Sequence, residues 1–208
     1  MNEIWQGEDA PDGDGNTEGN ELAEISLPEE IEAAESAKEV FSDGPADPAT
    51  ATDLIRNVWD RNDYFTRFSA LIGELNLRHL TAGEFLFLGG SNAPGERCAG
   101  RNSLPPEGLW PNLRKTARML DEIRHRLGSP IVILSAFRSA SYNQCVGGES
   151  ASRHMRFDAI DFVSRSGTAS DWWRIAREVR GSDPDFEGGI GRYASFVHID
   201  TRGRRADW

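Results

Sequence analysis

A chain of 208 residues, 38% of them hydrophobic, is long enough for one domain with a substantial core plus a tail. Its net charge of −11 is unevenly placed: residues 1 to 50 hold 15 Asp/Glu and one Lys, whereas residues 51 to 208 hold 19 Asp/Glu and 22 Lys/Arg. No apolar run is long enough to span a membrane, and the first residues lack a basic stretch followed by an apolar one. Neither membrane insertion nor export by the usual signal peptide is therefore expected.

The acidic segment comes first. Residues 1 to 48 are rich in Glu, Asp, Gly and Pro and cannot bury enough surface to offset their ordering entropy, so disorder is expected. A short helix over 28 to 41 is compatible with docking to a protein partner. The functional alternative is an interaction or autoinhibitory arm that mimics an anionic ligand.

Residues 49 to 109 form a helical and loop part. Leu54, Val58, Phe65, Phe68, Leu71 and Leu75 recur at mostly helical spacing, which predicts one or two helices over 49 to 76. Residues 88 to 109 are a breaker-rich loop. Cys98 and Cys145 lie far apart with no Cys-x-x-Cys pair; they make no zinc knuckle, and they neither require nor exclude a disulfide.

Residues 110 to 208 read as the core. Leu113, Ala117, Leu120, Ile123 and Leu127 line one face of an amphipathic helix that stops at Gly128. The run IVILSAF and the segment Ala159 to Val163 predict two buried strands. Thr168 to Arg180 predicts a helix with Thr168 or Ser170 as cap, Asp171 in its first turn and Gly181 after it. Residues 188 to 193 (GGIGRY) and 195 to 200 (SFVHID) predict a closing pair of strands. The fold class is α+β: a small antiparallel sheet flanked by helices. The basic residues of 51 to 208 are almost all Arg, which suits anions, but no aromatic-interleaved basic stripe argues for nucleic acid.

Only four histidines exist, and two stand in unusual surroundings. His154 lies in a polar turn, with Asp161 seven residues on inside an apolar run. A buried aspartate is costly unless paired. His198 sits on an apolar strand, where alternation places Phe196, His198 and Asp200 on one face. Two histidines and a carboxylate leave a fourth position for water, as in catalytic zinc sites. A core histidine beside an Asp–Arg pair is the competing reading. His79 and His125 read as surface residues.

Four segments occur in order: SAFRS (135–139), YNQCVGG (142–148), S-x-H-x-x-x-x-A-x-D (152–161) and GGIGRYASFVHIDTR (188–202). Together they resemble the zinc D-alanyl-D-alanine peptidases, most nearly the murein endopeptidase branch; the hedgehog signalling domain shares that metal-site fold. The resemblance implies Zn²⁺ held in a cleft by His154, Asp161 and His198. It implies that Arg138 binds a substrate carboxylate or carbonyl and stabilises the oxyanion, with a structural salt bridge as the alternative. Ser152 matches a peptide-binding position, its alternative being a turn-forming serine; Tyr142 and Asn143 match loop-shaping ones. The implied function is zinc-dependent hydrolysis of a stem or cross-link peptide of bacterial peptidoglycan, acting in the cell envelope. A non-catalytic zinc-binding module of the same fold and a phage lysis enzyme are the alternatives.

Two positions depart from the pattern. Phe157 stands where relatives usually have glycine, three residues after the first zinc histidine, and is expected to change the loop shape but not the ligands. Ser195 stands where many carry an acid, three residues before the last histidine, so the motif assigns no general base. Asp200 is the first candidate, with orientation of a zinc ligand as its rival role. Asp183, Asp185 and Glu187 are held in reserve.

Overall fold

The computed structural model describes residues 63–184 and 186–208. The acidic segment, the expected helix over 28 to 41, the part of the 49 to 76 prediction before residue 63, and Asp185 lie outside the described residues.

Helix α1, Asp63–Gly73, is followed by the one-turn helix α2, Ala82–Phe85. The breaker-rich loop holds two short 3₁₀ turns, Gly90–Asn92 and Glu107–Asn112, the second running into helix α3, Leu113–Leu127. Gly128 ends α3 in the left-handed region at φ 60°, its N–H closing onto the carbonyls of Arg124 and His125. The predicted face of α3 is the buried one: Leu113, Ala117, Leu120 and Ile123 are inaccessible to solvent.

Strand β1, Ile131–Ser135, leads to the short helix α4, Ala140–Cys145, capped by Ser139, whose side chain accepts from the Tyr142 N–H. A 3₁₀ turn, Arg153–Arg156, precedes β2, Ala159–Ser164. Helix α5, Ala169–Ser182, opens with the Thr168–Asp171 capping box. It runs through Gly181, contrary to the expected stop, and ends at Ser182, with the N–H of the following Asp183 still reaching the Val179 carbonyl. Strands β3, Gly189–Arg192, β4, Val197–Asp200, and β5, Ala206–Asp207, complete the sheet.

The sheet order is β1-β2-β4-β3-β5. Four strands pair antiparallel as expected, but β5 adds a parallel edge to β3, so the sheet is mixed. Every residue of β2 and β4 is buried, as befits the sheet's inner strands. Helices α3 and α5 pack together, and one continuous core joins them to Phe68, Ile72, Phe85 and Leu86 from the N-terminal part. Among the described residues, no helix is long and apolar enough to cross a membrane.

Two glycines of the GGIGRY segment are required by close approach. A Cβ at Gly188 would lie 1.9 Å from the Asp200 carbonyl oxygen, and one at Gly191 2.5 Å from the Trp208 indole nitrogen. Phe157 occupies the left-handed region at φ 57° with its ring fully buried, 6.1 Å from Phe68 and 6.0 Å from Phe137 between centroids. A covalent bond ties the loops: Cys98 and Cys145 form a disulfide.

Candidate metal centre

The register of β2 on β4 places Asp161 directly opposite His198. Both side chains leave the same face of the pair, while Phe162, Val197 and Ile199 join the core. His154 enters from the 3₁₀ turn before β2, its backbone carbonyl accepting from the Arg138 N–H at 3.2 Å. One donor atom from each of His154, Asp161 and His198 lies within 4.8 Å of the others, and all three residues are buried.

The neighbours decide which nitrogen each imidazole offers. His154 Nδ1 stands 3.1 Å from the Ala136 carbonyl oxygen, which only accepts, so Nδ1 carries the proton and Nε2 presents a lone pair. His198 Nε2 faces the Asp200 carboxylate at 3.2 Å, which leaves Nδ1 to face Asp161 at 2.6 Å.

Charge follows from these contacts. Burial, then the Arg138 guanidinium, pushes His154 down to about 4, so it is neutral at pH 7. Burial would also lower His198, but Asp161 and Asp200 on its two nitrogens override it and push it up to about 9. Burial opposes ionisation of Asp161, yet His154, Arg138 and His198 hold it well below the usual carboxylate range.

The group fits a metal on its own geometry. His154 Nε2, a lone pair, lies 2.9 Å from the Asp161 Oδ2 lone pairs. The same nitrogen lies 3.3 Å from His198 Nδ1, so three potential ligand atoms converge on one point. Two imidazole nitrogens and one carboxylate oxygen are also the donor types of a three-ligand zinc site.

Arg138 is 4% exposed; its Nε donates to Ser135 Oγ at 2.9 Å and its guanidinium pairs with Asp161. It also lines a cleft of about 430 Å³ that opens over the three donors. The ion pair of the alternative reading is present, and the side chain also faces the cleft. Ser152 lines the same cleft and begins the turn that carries His154.

Asp200 is brought to the centre but not to the cleft. It is fully buried, and Oδ1 accepts from the N–H groups of Gly189 at 3.1 Å and Arg202 at 3.0 Å, while Arg202 also clamps Oδ2. Burial opposes its ionisation, but the bonds from His198 and Arg202 push its pKa strongly down. Of its two expected roles, the geometry favours orienting His198. Asp183 and Glu187 are exposed and do not line the cleft. Ser195 is buried, and its hydroxyl has no partner among the described residues.

Several residues at the site carried no motif signal. Glu149, Arg153, Arg204 and Trp208 line the cleft, beside Tyr193 of the matched GGIGRY segment. The Ala136 carbonyl, as a backbone group, leaves no mark in a sequence. Arg202 lay within the matched segment without an assigned part; it grips Asp200 and stacks over Trp208 at 4.3 Å.

A mixed sheet bearing a buried His–Asp–His set at the floor of a cleft defines a protein able to hold a metal ion there. Residues 96–200 match the Peptidase M15 family, and the chain belongs to it. The match begins ahead of residue 110, taking in the Cys98 loop. It makes the protein a zinc-dependent metallopeptidase, with His154, Asp161 and His198 as the group able to hold the metal. No curated protein matches the chain.

Proposed function

We propose that this peptidase cleaves short, carboxylate-bearing peptides of bacterial peptidoglycan. The observation that supports this most is the cleft lining: Arg138, Arg153, Arg202 and Arg204 surround the metal group, with Tyr193 and Trp208 as apolar walls. Arg138, Arg153 and Arg202 pair with Asp161, Asp158 and Asp200, so Arg204 is the cleft guanidinium outside those pairs, and it favours a substrate that carries a carboxylate. The sequence resemblance supports the same substrate.

Zn²⁺, when bound, supplies Lewis acidity, activating water near neutral pH and polarising the scissile carbonyl. The chain's own residues do the rest. Asp200, through Nε2, fixes the His198 ring so that Nδ1 points at Asp161. The Ala136 carbonyl does the same for His154. Arg138 lies beside Asp161 and faces the cleft, where its guanidinium binds a substrate oxygen as negative charge develops. Ser152, at the cleft wall, binds the peptide backbone.

The test is digestion of purified peptidoglycan by the zinc-loaded protein, with product masses compared against His154→Ala. New termini from wild type alone support the reading, and their masses report carboxypeptidase or endopeptidase cleavage. Identical products from both proteins would sink it. A non-catalytic zinc module has one observation in its favour, Ser195 in place of an acid. It predicts peptide binding without product.

A further inference from the structure

The hydrolysis needs a proton acceptor, and the cleft offers one carboxylate besides the metal ligand Asp161. Among the described residues lining it, that carboxylate is Glu149. Asp200 is sealed behind His198 by Arg202 and Gly189, and Asp183 and Glu187 lie elsewhere. Ser195 is a hydroxyl and does not line the cleft.

The segment carrying Glu149 is built to hold its backbone and free its side chain. Its carbonyl oxygen accepts from Asn143 Nδ2 at 2.9 Å and from the Ser152 N–H at 2.9 Å. Gly147 turns the chain at φ 70°, and a Cβ on Gly148 would strike Asn143 Oδ1 at 2.2 Å. The disulfide to Cys98 anchors the end of α4 four residues before Glu149. The neighbouring Arg153 is occupied by Asp158 at 3.1 Å. The Glu149 side chain is exposed and has no partner among the described residues, so no ion pair must break before it takes a proton.

We propose that Glu149 is the general base of this peptidase, an assignment that rests on the peptidoglycan-peptide reading above. As a water oxygen bonds to the scissile carbonyl carbon, one water proton passes to the Glu149 carboxylate. When the C–N bond breaks, the same proton passes to the departing nitrogen. A carboxyl group and an amine leave, and Glu149 is again ionised.

The experiment measures wild type, Glu149→Gln and Glu149→Asp on soluble disaccharide-peptide fragments of peptidoglycan and their cross-linked dimers. Zinc per chain and fragment binding by calorimetry are read alongside turnover. Glu149→Gln is expected to lower kcat by roughly 10²- to 10⁴-fold while KM and fragment affinity stay within about threefold. Zinc content is expected to stay at the wild-type value, and Glu149→Asp to recover part of the rate. A Glu149→Gln variant within about threefold of wild-type kcat, or one that loses zinc, overturns the assignment. Wild type inactive on every fragment defeats the substrate reading and this assignment with it; wild type and variant equally active defeats Glu149 alone.

Discussion

At His198, two carboxylates bind one imidazole. With Asp161 on Nδ1 and Asp200 on Nε2, the metal-free ring is held as imidazolium, its pKa pushed up to about 9. A metal at Nδ1 must displace that proton, whereas His154, at about 4, carries none on its ligand nitrogen Nε2 at pH 7. Zinc binding at pH 7 is therefore expected to release one proton, and affinity to rise about tenfold per pH unit until about 9. Calorimetry in buffers of different protonation enthalpy reads both. Without metal, the His198 contribution to stability is complete below about 6.5 and lost as pH rises through about 9. Asp200→Asn keeps the shape but weakens the hold on the ring, and is expected to reduce zinc affinity by roughly 10- to 100-fold in a competition titration. Phe157 poses the opposite trade. Its left-handed backbone costs roughly 1–2 kcal/mol, but its ring is fully buried among aromatics. Phe157→Gly relieves the strain and empties the core, with a net loss of roughly 2–3 kcal/mol expected in denaturant unfolding.

At the scale of elements, the pairing of β2 with β4 and the turn before β2 set the ligands, while the α4 loop sets the rim. The Cys98–Cys145 bond spans a sequence separation of 47 and joins the breaker-rich loop to α4. Cys98→Ala with Cys145→Ala is expected to lower stability by roughly 2–4 kcal/mol, read by chemical denaturation beside the oxidised parent. Zinc affinity should change little, because every ligand lies outside the closed loop's ends. The helices were legible because their signals are local. The α3 face follows from spacing, its end from Gly128, and the start of α5 from Thr168 and Asp171. Gly181 misled because a glycine next to a helix end stops it only if the chain must turn there. Here α5 continues for one more residue, and the Ser182 hydroxyl bonds to the Val179 carbonyl at 2.9 Å.

For the whole molecule, the metal group draws on two strands and a turn brought together by one core. Zinc should therefore stabilise the fold as well as the site. Removal by chelator is expected to lower Tm, and added Zn²⁺ to restore it with a dependence on concentration, in calorimetric scans. His154→Ala should abolish that response while the protein still unfolds cooperatively.

Spacing alone left His154, Asp161 and His198 open between a metal set and a satisfied core; family resemblance and strand alternation brought them together. Those signals survive in a linear sequence because zinc needs particular side chains and strands repeat every two residues. The fold class and the helix faces were determined in the same way, by local period and caps. Tertiary structure alone decided the rest: the parallel edge of β5, the Cys98–Cys145 pairing, the turning of Asp200 away from the cleft and the placing of Glu149 on it. Each depends on where distant backbones meet. A carboxylate reads the same in sequence whether its neighbours clamp it behind a ring or leave it free at a rim.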